Sequence, residues 1–119
     1  MLLFGPTGRL IDAVAFGPQV PDLSIGRLEA GAWGLARPTF GSANVAQRTG
    51  DASTLKINEW LADGVTPYAN DFIELFNPNA LPVALGGLFL TDNPISAPNL
   101  HRISPLSFVA GGGLSLIHI

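Results

Sequence analysis

The chain has 119 residues, 47% of them hydrophobic and 13% charged, with a formal net charge of -3. That is long enough for one domain with a core and too apolar for a disordered segment. The six Lys and Arg form no basic stripe, no apolar run approaches the roughly 20 residues of a membrane helix, and there is no Cys, so nucleic-acid binding is disfavoured and disulfides and thiolate metal sites are excluded.

Fourteen Gly and ten Pro fall between apolar runs rather than in a repeat, which predicts many turns and short strands. Met1-Leu2-Leu3-Phe4 is too short for a signal-peptide core and has no basic residue before it, so if the parent protein is exported its signal lies outside this stretch. Phe4-Gly5-Pro6-Thr7-Gly8 is a turn. Residues 9–16 predict a strand, with Leu10, Asp12, Val14 and Phe16 on one face and Ile11, Ala13 and Ala15 on the other. Asp12 is the misfit. It is either a strand-end carboxylate reaching a nearby backbone N–H or an acid that binds a ligand. After the loop at 17–22, residues 23–28 are extended, and Arg27 is placed to pair with Asp12 or Asp22. A turn at 29–32 leads to two apolar anchors, Trp33 and Leu35, and residues 38–44 are irregular. Residues 45–54 are small and polar and are expected to be a linker.

A second group of strands follows. Residues 55–61 alternate, with Leu55, Ile57, Glu59 and Leu61 opposite Lys56, Asn58 and Trp60. Residues 71–76 carry apolar side chains on both faces, which predicts a central, covered strand. Asn77-Pro78-Asn79-Ala80 is a turn. Residues 83–85 lead to Gly86-Gly87, where a bulge or kink is expected. Residues 88–90 form a strand closed by Thr91-Asp92-Asn93-Pro94. Short strands are expected within 100–103 and 106–109, with a turn at 110–113.

These residues carry a family resemblance. Asn58-Glu59, Ile73-Glu74-Leu75-Phe76-Asn77, Leu85-Gly86-Gly87-Leu88 and Leu90-Thr91-Asp92 resemble the start of a bacterial lamin-tail domain, with Ala84 where the family often has Asp or Asn. Asp12, Ser24-Ile25-Gly26-Arg27, Trp33 and Pro38-Thr39-Phe40-Gly41-Ser42-Ala43-Asn44 resemble the end of such a domain, with Phe40 where a second Pro is usual. The resemblance implies the end of one module at 1–44, a linker at 45–54 and the start of a second, truncated module at 55–113. Leu114-Ser115-Leu116-Ile117-His118-Ile119 matches the translation of a sequencing-library transposon adaptor and is expected to be an artefact. The implied fold is all-β, an immunoglobulin-like β-sandwich. Because unpaired strand edges seek partners, the strands at 8–44 are expected to dock on those at 55–110 as a circularly permuted sandwich.

No residue set announces catalysis. His101 has no acid within a few residues, Ser24, Ser42 and Ser107 lack the nucleophile-elbow pattern, and Gly111-Gly112-Gly113 precedes no helix. Glu59 and Glu74 are the best acid pair. They are structural markers, ligands of Ca²⁺ with Asp92, or an acid–base pair. The structural reading has Glu74 accept hydrogen bonds from a neighbouring loop and Glu59 cap the first strand. The resemblance implies a non-enzymatic interaction or spacer module, without cofactor, in a larger exported or cell-surface protein. Its partners would be a protein, a polysaccharide or neighbouring domains. Two alternatives are a carbohydrate- or calcium-binding module using Trp33, Trp60 or Tyr68, and a fragment of a multidomain hydrolase.

Overall fold

The computed structural model describes residues 1–65, 67 and 70–118. Tyr68 lies outside them. The twelve strands are β1 (Leu2–Phe4), β2 (Leu10–Ala13), β3 (Ser24–Arg27), β4 (Trp33–Arg37), β5 (Val45–Ala46), β6 (Lys56–Leu61), β7 (Phe72–Phe76), β8 (Val83–Ala84), β9 (Phe89–Leu90), β10 (His101–Arg102), β11 (Phe108–Val109) and β12 (Leu114–His118). Short 3-10 turns at Glu29–Gly31 and Ala52–Thr54 are the only helical pieces among the described residues. The fold is all-β and sandwich-like, built from small antiparallel sheets: β1-β2, β3-β4-β5, β12-β7-β6, β8-β11 and β9-β10. The density of Gly and Pro explains the short strands, since most of them fall in the turns between ladders and only Gly26 and Gly34 sit within one.

The stretch expected as a linker takes part in this framework. Val45 and Ala46 pair with Arg37 and Ala36, and the Gly50 N–H donates to the Pro82 carbonyl at 2.8 Å. At the turn that follows, the Asp51 carboxylate accepts from the Ser53 N–H at 2.9 Å and the Ser53 hydroxyl at 2.7 Å. These bonds hold its pKa below the ordinary value, the hydroxyl contributing most. At the other end, β12 runs antiparallel to β7, from Leu114 opposite Phe76 to His118 opposite Phe72. The alternation of Leu114–His118 suits that edge, and Ser115 and Ile117 turn inward and are buried.

β7 is the central strand of its sheet, as its two-sided apolar pattern predicts, although only Leu75 is fully covered and its neighbours are half-buried. The simple alternation expected for residues 55–61 does not hold. A β-bulge sets Ile57 opposite Leu75 but Glu59 opposite Glu74, leaving Asn58 as the extra residue. Ile57 and Trp60 therefore share one face, and Lys56, Glu59 and Leu61 share the other. At Gly86-Gly87 the expected kink is a tight turn. The Leu88 N–H reaches the Leu85 carbonyl at 3.1 Å, and Gly87 sits at φ 87°, a conformation that favours glycine.

Two apolar clusters fill the interior. Leu75, Val83, Leu85, Ile103, Val109 and Ile117 form the first. Val20, Leu35 and Phe108 form the second, with Leu23, Ile25 and Leu106 packed against them. The second cluster joins the two stretches predicted to be partial modules. Backbone bonds reinforce the junction: Phe108 N–H to Pro18 O at 2.8 Å and Gly17 N–H to Pro105 O at 3.2 Å. The Gln19 amide also donates to Leu106 O at 2.7 Å. Leu106 takes up φ 51° there, an unusual conformation for a bulky residue, and its burial against the second cluster holds it in place.

The turn after β11 depends on a close backbone approach. A Cβ on Gly111 would collide with the Ala80 carbonyl, a backbone group that cannot swing aside. Gly111→Ala is expected to cost about 3 kcal/mol through forced backbone displacement, read as a lower urea midpoint with an unchanged slope. A substitution cost indistinguishable from zero would mean that this turn yields freely.

Candidate functional site

Asp12 and Arg27, fifteen residues apart in the sequence, meet on the surface, with Ser24 and Gly26 on the same strand as Arg27. Arg27 Nη2 lies 2.9 and 2.8 Å from the two Asp12 carboxylate oxygens, and the Ala13 N–H donates to Asp12 Oδ1 at 2.8 Å. Both anticipated structural partners of Asp12, a neighbouring N–H and Arg27, are thus engaged. The guanidinium also lies 4.4 Å from the centre of the Trp33 ring, a cation–π contact, and Nη1 reaches the Gly31 carbonyl at 3.3 Å. Asn44 completes the arrangement. Its side-chain amide donates to the Arg27 carbonyl at 2.9 Å and its oxygen accepts from Thr39 Oγ1 at 3.3 Å. Any Cβ at Gly26 would strike that amide, which is why glycine precedes Arg27. Ser24 Oγ donates to Ala36 O at 3.3 Å across the β3–β4 ladder.

The Arg27 hydrogen bond, followed by that from Ala13, lowers the Asp12 pKa below its ordinary 3.8. A depressed carboxylate pKa contributes stability above the unfolded-state value and loses it as pH falls through the folded-state value. Asp12→Asn is therefore expected to destabilise the chain slightly at neutral pH, with the difference from the parent closing below about pH 4. Paired urea titrations across that range check it, and a difference that widened on acidification would contradict the assignment. Both side chains are a little under half exposed, so the effect is small and screened by salt.

Glu59 and Glu74 do face each other across β6 and β7. Glu74 accepts from Asn58 Nδ2 at 2.6 Å, so its partner comes from the bulge of the adjacent strand and not from a loop. Glu59 lies inside β6, opposite Glu74, rather than capping its end. Asp92 follows β9 and does not join them, and among the described residues no three His, Asp or Glu gather as ligands for a metal ion. His101 pairs with Leu90 across β9 and β10.

Asn77 has the densest polar contacts among the described residues. It is fully buried. Its amide nitrogen donates to Leu81 O and Ala110 O, both at 2.9 Å, and its side-chain oxygen accepts from the Asn79 N–H and Nδ2, also at 2.9 Å. Asn79 passes the connection on to Thr54 Oγ1 at 2.5 Å. Asn77 thus ties the turn after β7 to the turn after β11 and to the 3-10 turn before β6. The family motifs mark Asn77 and Asn44 in the sequence, but nothing local marks Asn79 or Thr54 as partners of Asn77.

Between the two stretches lies an open cleft of about 320 Å³ walled by Leu28, Trp33, Leu35, Leu106 and Phe108, with Gln47 and Thr49 as polar elements. Arg27 covers one face of the Trp33 ring, whereas Trp60 stands in solvent on the β6 edge, 70% exposed. The hairpin of β1 and β2 is also apolar and open: Leu2, Leu3, Phe4, Leu10 and Ile11 are between 49% and 63% exposed.

Comparison with protein-family models, with curated proteins and with solved structures gives no match to this chain.

Proposed function

We propose that this chain is a non-catalytic interaction or spacer module of a larger exported or cell-surface bacterial protein, of the lamin-tail type with an immunoglobulin-like sandwich. The motif residues support the family reading. Asp12, Arg27, Glu74 and Asn77 are engaged in holding strands and turns together rather than converging on an open pocket. The single observation that carries the interaction role is the β1–β2 hairpin, whose five large apolar side chains stand in solvent. Contiguous exposed apolar surface of this kind marks a contact site for another protein surface. In a multidomain chain the nearest such surface is a neighbouring domain.

The test is the parental reading frame, expressed whole and with residues 1–119 deleted. Export of the whole protein, retention of its neighbours' activity per molecule after deletion, and loss of its attachment to the cell surface or partner are the expected results. Hydrogen exchange at residues 2–4 and 10–13 should slow in the whole protein relative to the isolated chain. Cytoplasmic retention of the parent, or turnover of a hydrolase substrate by the isolated chain, would defeat the proposal.

A further inference from the structure

We propose that β6 pairs edge to edge with β6 of a second copy of this chain, antiparallel about a two-fold axis between Asn58 and Glu59. Trp60 of each copy then enters the cleft beside Ile57 of the other. Self-pairing at this edge is independent of what the module contacts outside itself.

The backbone sets the register. β6 is the end strand of its sheet. Just beyond β7, the Asn77 N–H donates to Gly113 O at 3.0 Å, toward the β12 side. Residues of an antiparallel strand address its two neighbours alternately. Leu75 and Ile73 therefore also address β12, and Phe76, Glu74 and Phe72 address β6. Their partners Lys56, Glu59 and Leu61 turn their backbone groups inward. The groups turned outward belong to Ile57 and Trp60. In a two-fold antiparallel pair these two residues stand opposite each other and exchange N–H···O bonds twice, once on each side of the axis. The bulge that guards many sheet edges falls on the axis itself, where Asn58 of each copy comes opposite Glu59 of the other.

The side chains fit the same register. The bulge puts Ile57 and Trp60 on the inward face of the sheet, with Leu75 and Ile73. They remain 62% and 70% exposed because the sheet ends there. Beside Ile57, between the layers, is an apolar cleft of about 180 Å³ walled by Leu55, Phe89, Leu90 and Ile103. Trp60 of the second copy, placed opposite Ile57, lies over its mouth. On the outer face Lys56 comes diagonal to Glu59 of the second copy, within reach of long side chains of opposite charge.

Sedimentation velocity from about 5 to 500 μM should show a monomer–dimer equilibrium. Ile57→Pro removes an N–H that points away from the intrachain ladder, so the circular dichroism should be unchanged while the dissociation constant rises about tenfold or more. Trp60→Lys should raise it roughly a hundredfold, and it decides the matter if the proline variant unfolds. Ile57→Cys and Trp60→Cys chains, mixed and oxidised, should crosslink as a heterodimer, because a hydrogen-bonded antiparallel pair sets Cα atoms about 5.5 Å apart. Either variant oxidised alone should not. A monomer at every concentration, a dimer indifferent to both substitutions, or one that pairs through the β1–β2 hairpin and leaves the cysteine mixture unlinked would overturn the proposal. So would selective binding of an unrelated extended peptide at β6 without self-association.

Discussion

Asn77→Ala is expected to lower the unfolding free energy by about 2–4 kcal/mol, a large share of the stability of a domain this size. The substitution removes little apolar area. What it removes is a donor and an acceptor from a site closed to water. The carbonyls of Leu81 and Ala110 lose the amide N–H bonds at 2.9 Å, and the Asn79 N–H loses its acceptor. Buried polar groups left unpaired cost more than a made bond contributes, and three turns relax together because Asn79 and Thr54 lean on the same residue. Asn77→Asp sharpens the test. The shape is nearly preserved and the acceptor is kept, but the NH₂ becomes an oxygen facing two carbonyls. The aspartate variant should be at least as unstable as alanine at neutral pH and should recover partly near pH 4, where protonation restores one donor. Urea titrations of the three proteins at both pH values measure this. A cost below about 1 kcal/mol for both variants would show that water replaces the lost contacts.

Phe108→Ala is the second large effect, expected at about 3–5 kcal/mol. Phe108 is buried where the first forty-odd residues meet the remainder, against Val20 and Leu35. Its loss leaves a cavity at the junction of two stretches that otherwise touch through few backbone bonds. Hydrogen exchange should therefore accelerate more in β3 and β4 than in β7, which packs on the other cluster. Val83→Ala, in that other cluster, should reverse the order. Equal loosening of all strands by both substitutions would mean that the two clusters form one cooperative unit and that the junction has no separate stability.

Much of the architecture was legible because strand and turn signals are local. The apolar run at 71–76, the punctuation by Asn77-Pro78-Asn79 and the Gly86-Gly87 turn each depend on a few adjacent side chains and their φ preferences, and β6, β7, β9, β10 and β11 lie within a residue or two of the expected strands, whereas β2 stops three residues short of its expected end and β1, β4 and β12 were not expected as strands. Asp12 and Asp22 were both open to Arg27, because an acid in an apolar strand needs a partner, and the fold selects Asp12. The bulge at Asn58 was not legible. Strict alternation predicts Ile57 and Trp60 on opposite faces, and only the pairing with β7, which accommodates one extra residue, brings them to the same side. The polar stretch at 45–54 looked unstructured for a similar reason: its strand and its Gly50 bond exist only because β4 and Pro82 lie beside it.

The residue pattern by itself determined that this is a β-rich chain of short strands, since period, turn chemistry and the lack of thiols are properties of neighbours along the chain. The tertiary structure alone decided which distant polar groups satisfy one another, that Phe108 links the two stretches, and that the outward edge of β6 carries Ile57 and Trp60. These depend on register and on burial across many residues of separation, and a shift of one position in pairing exchanges what faces the core for what faces the solvent.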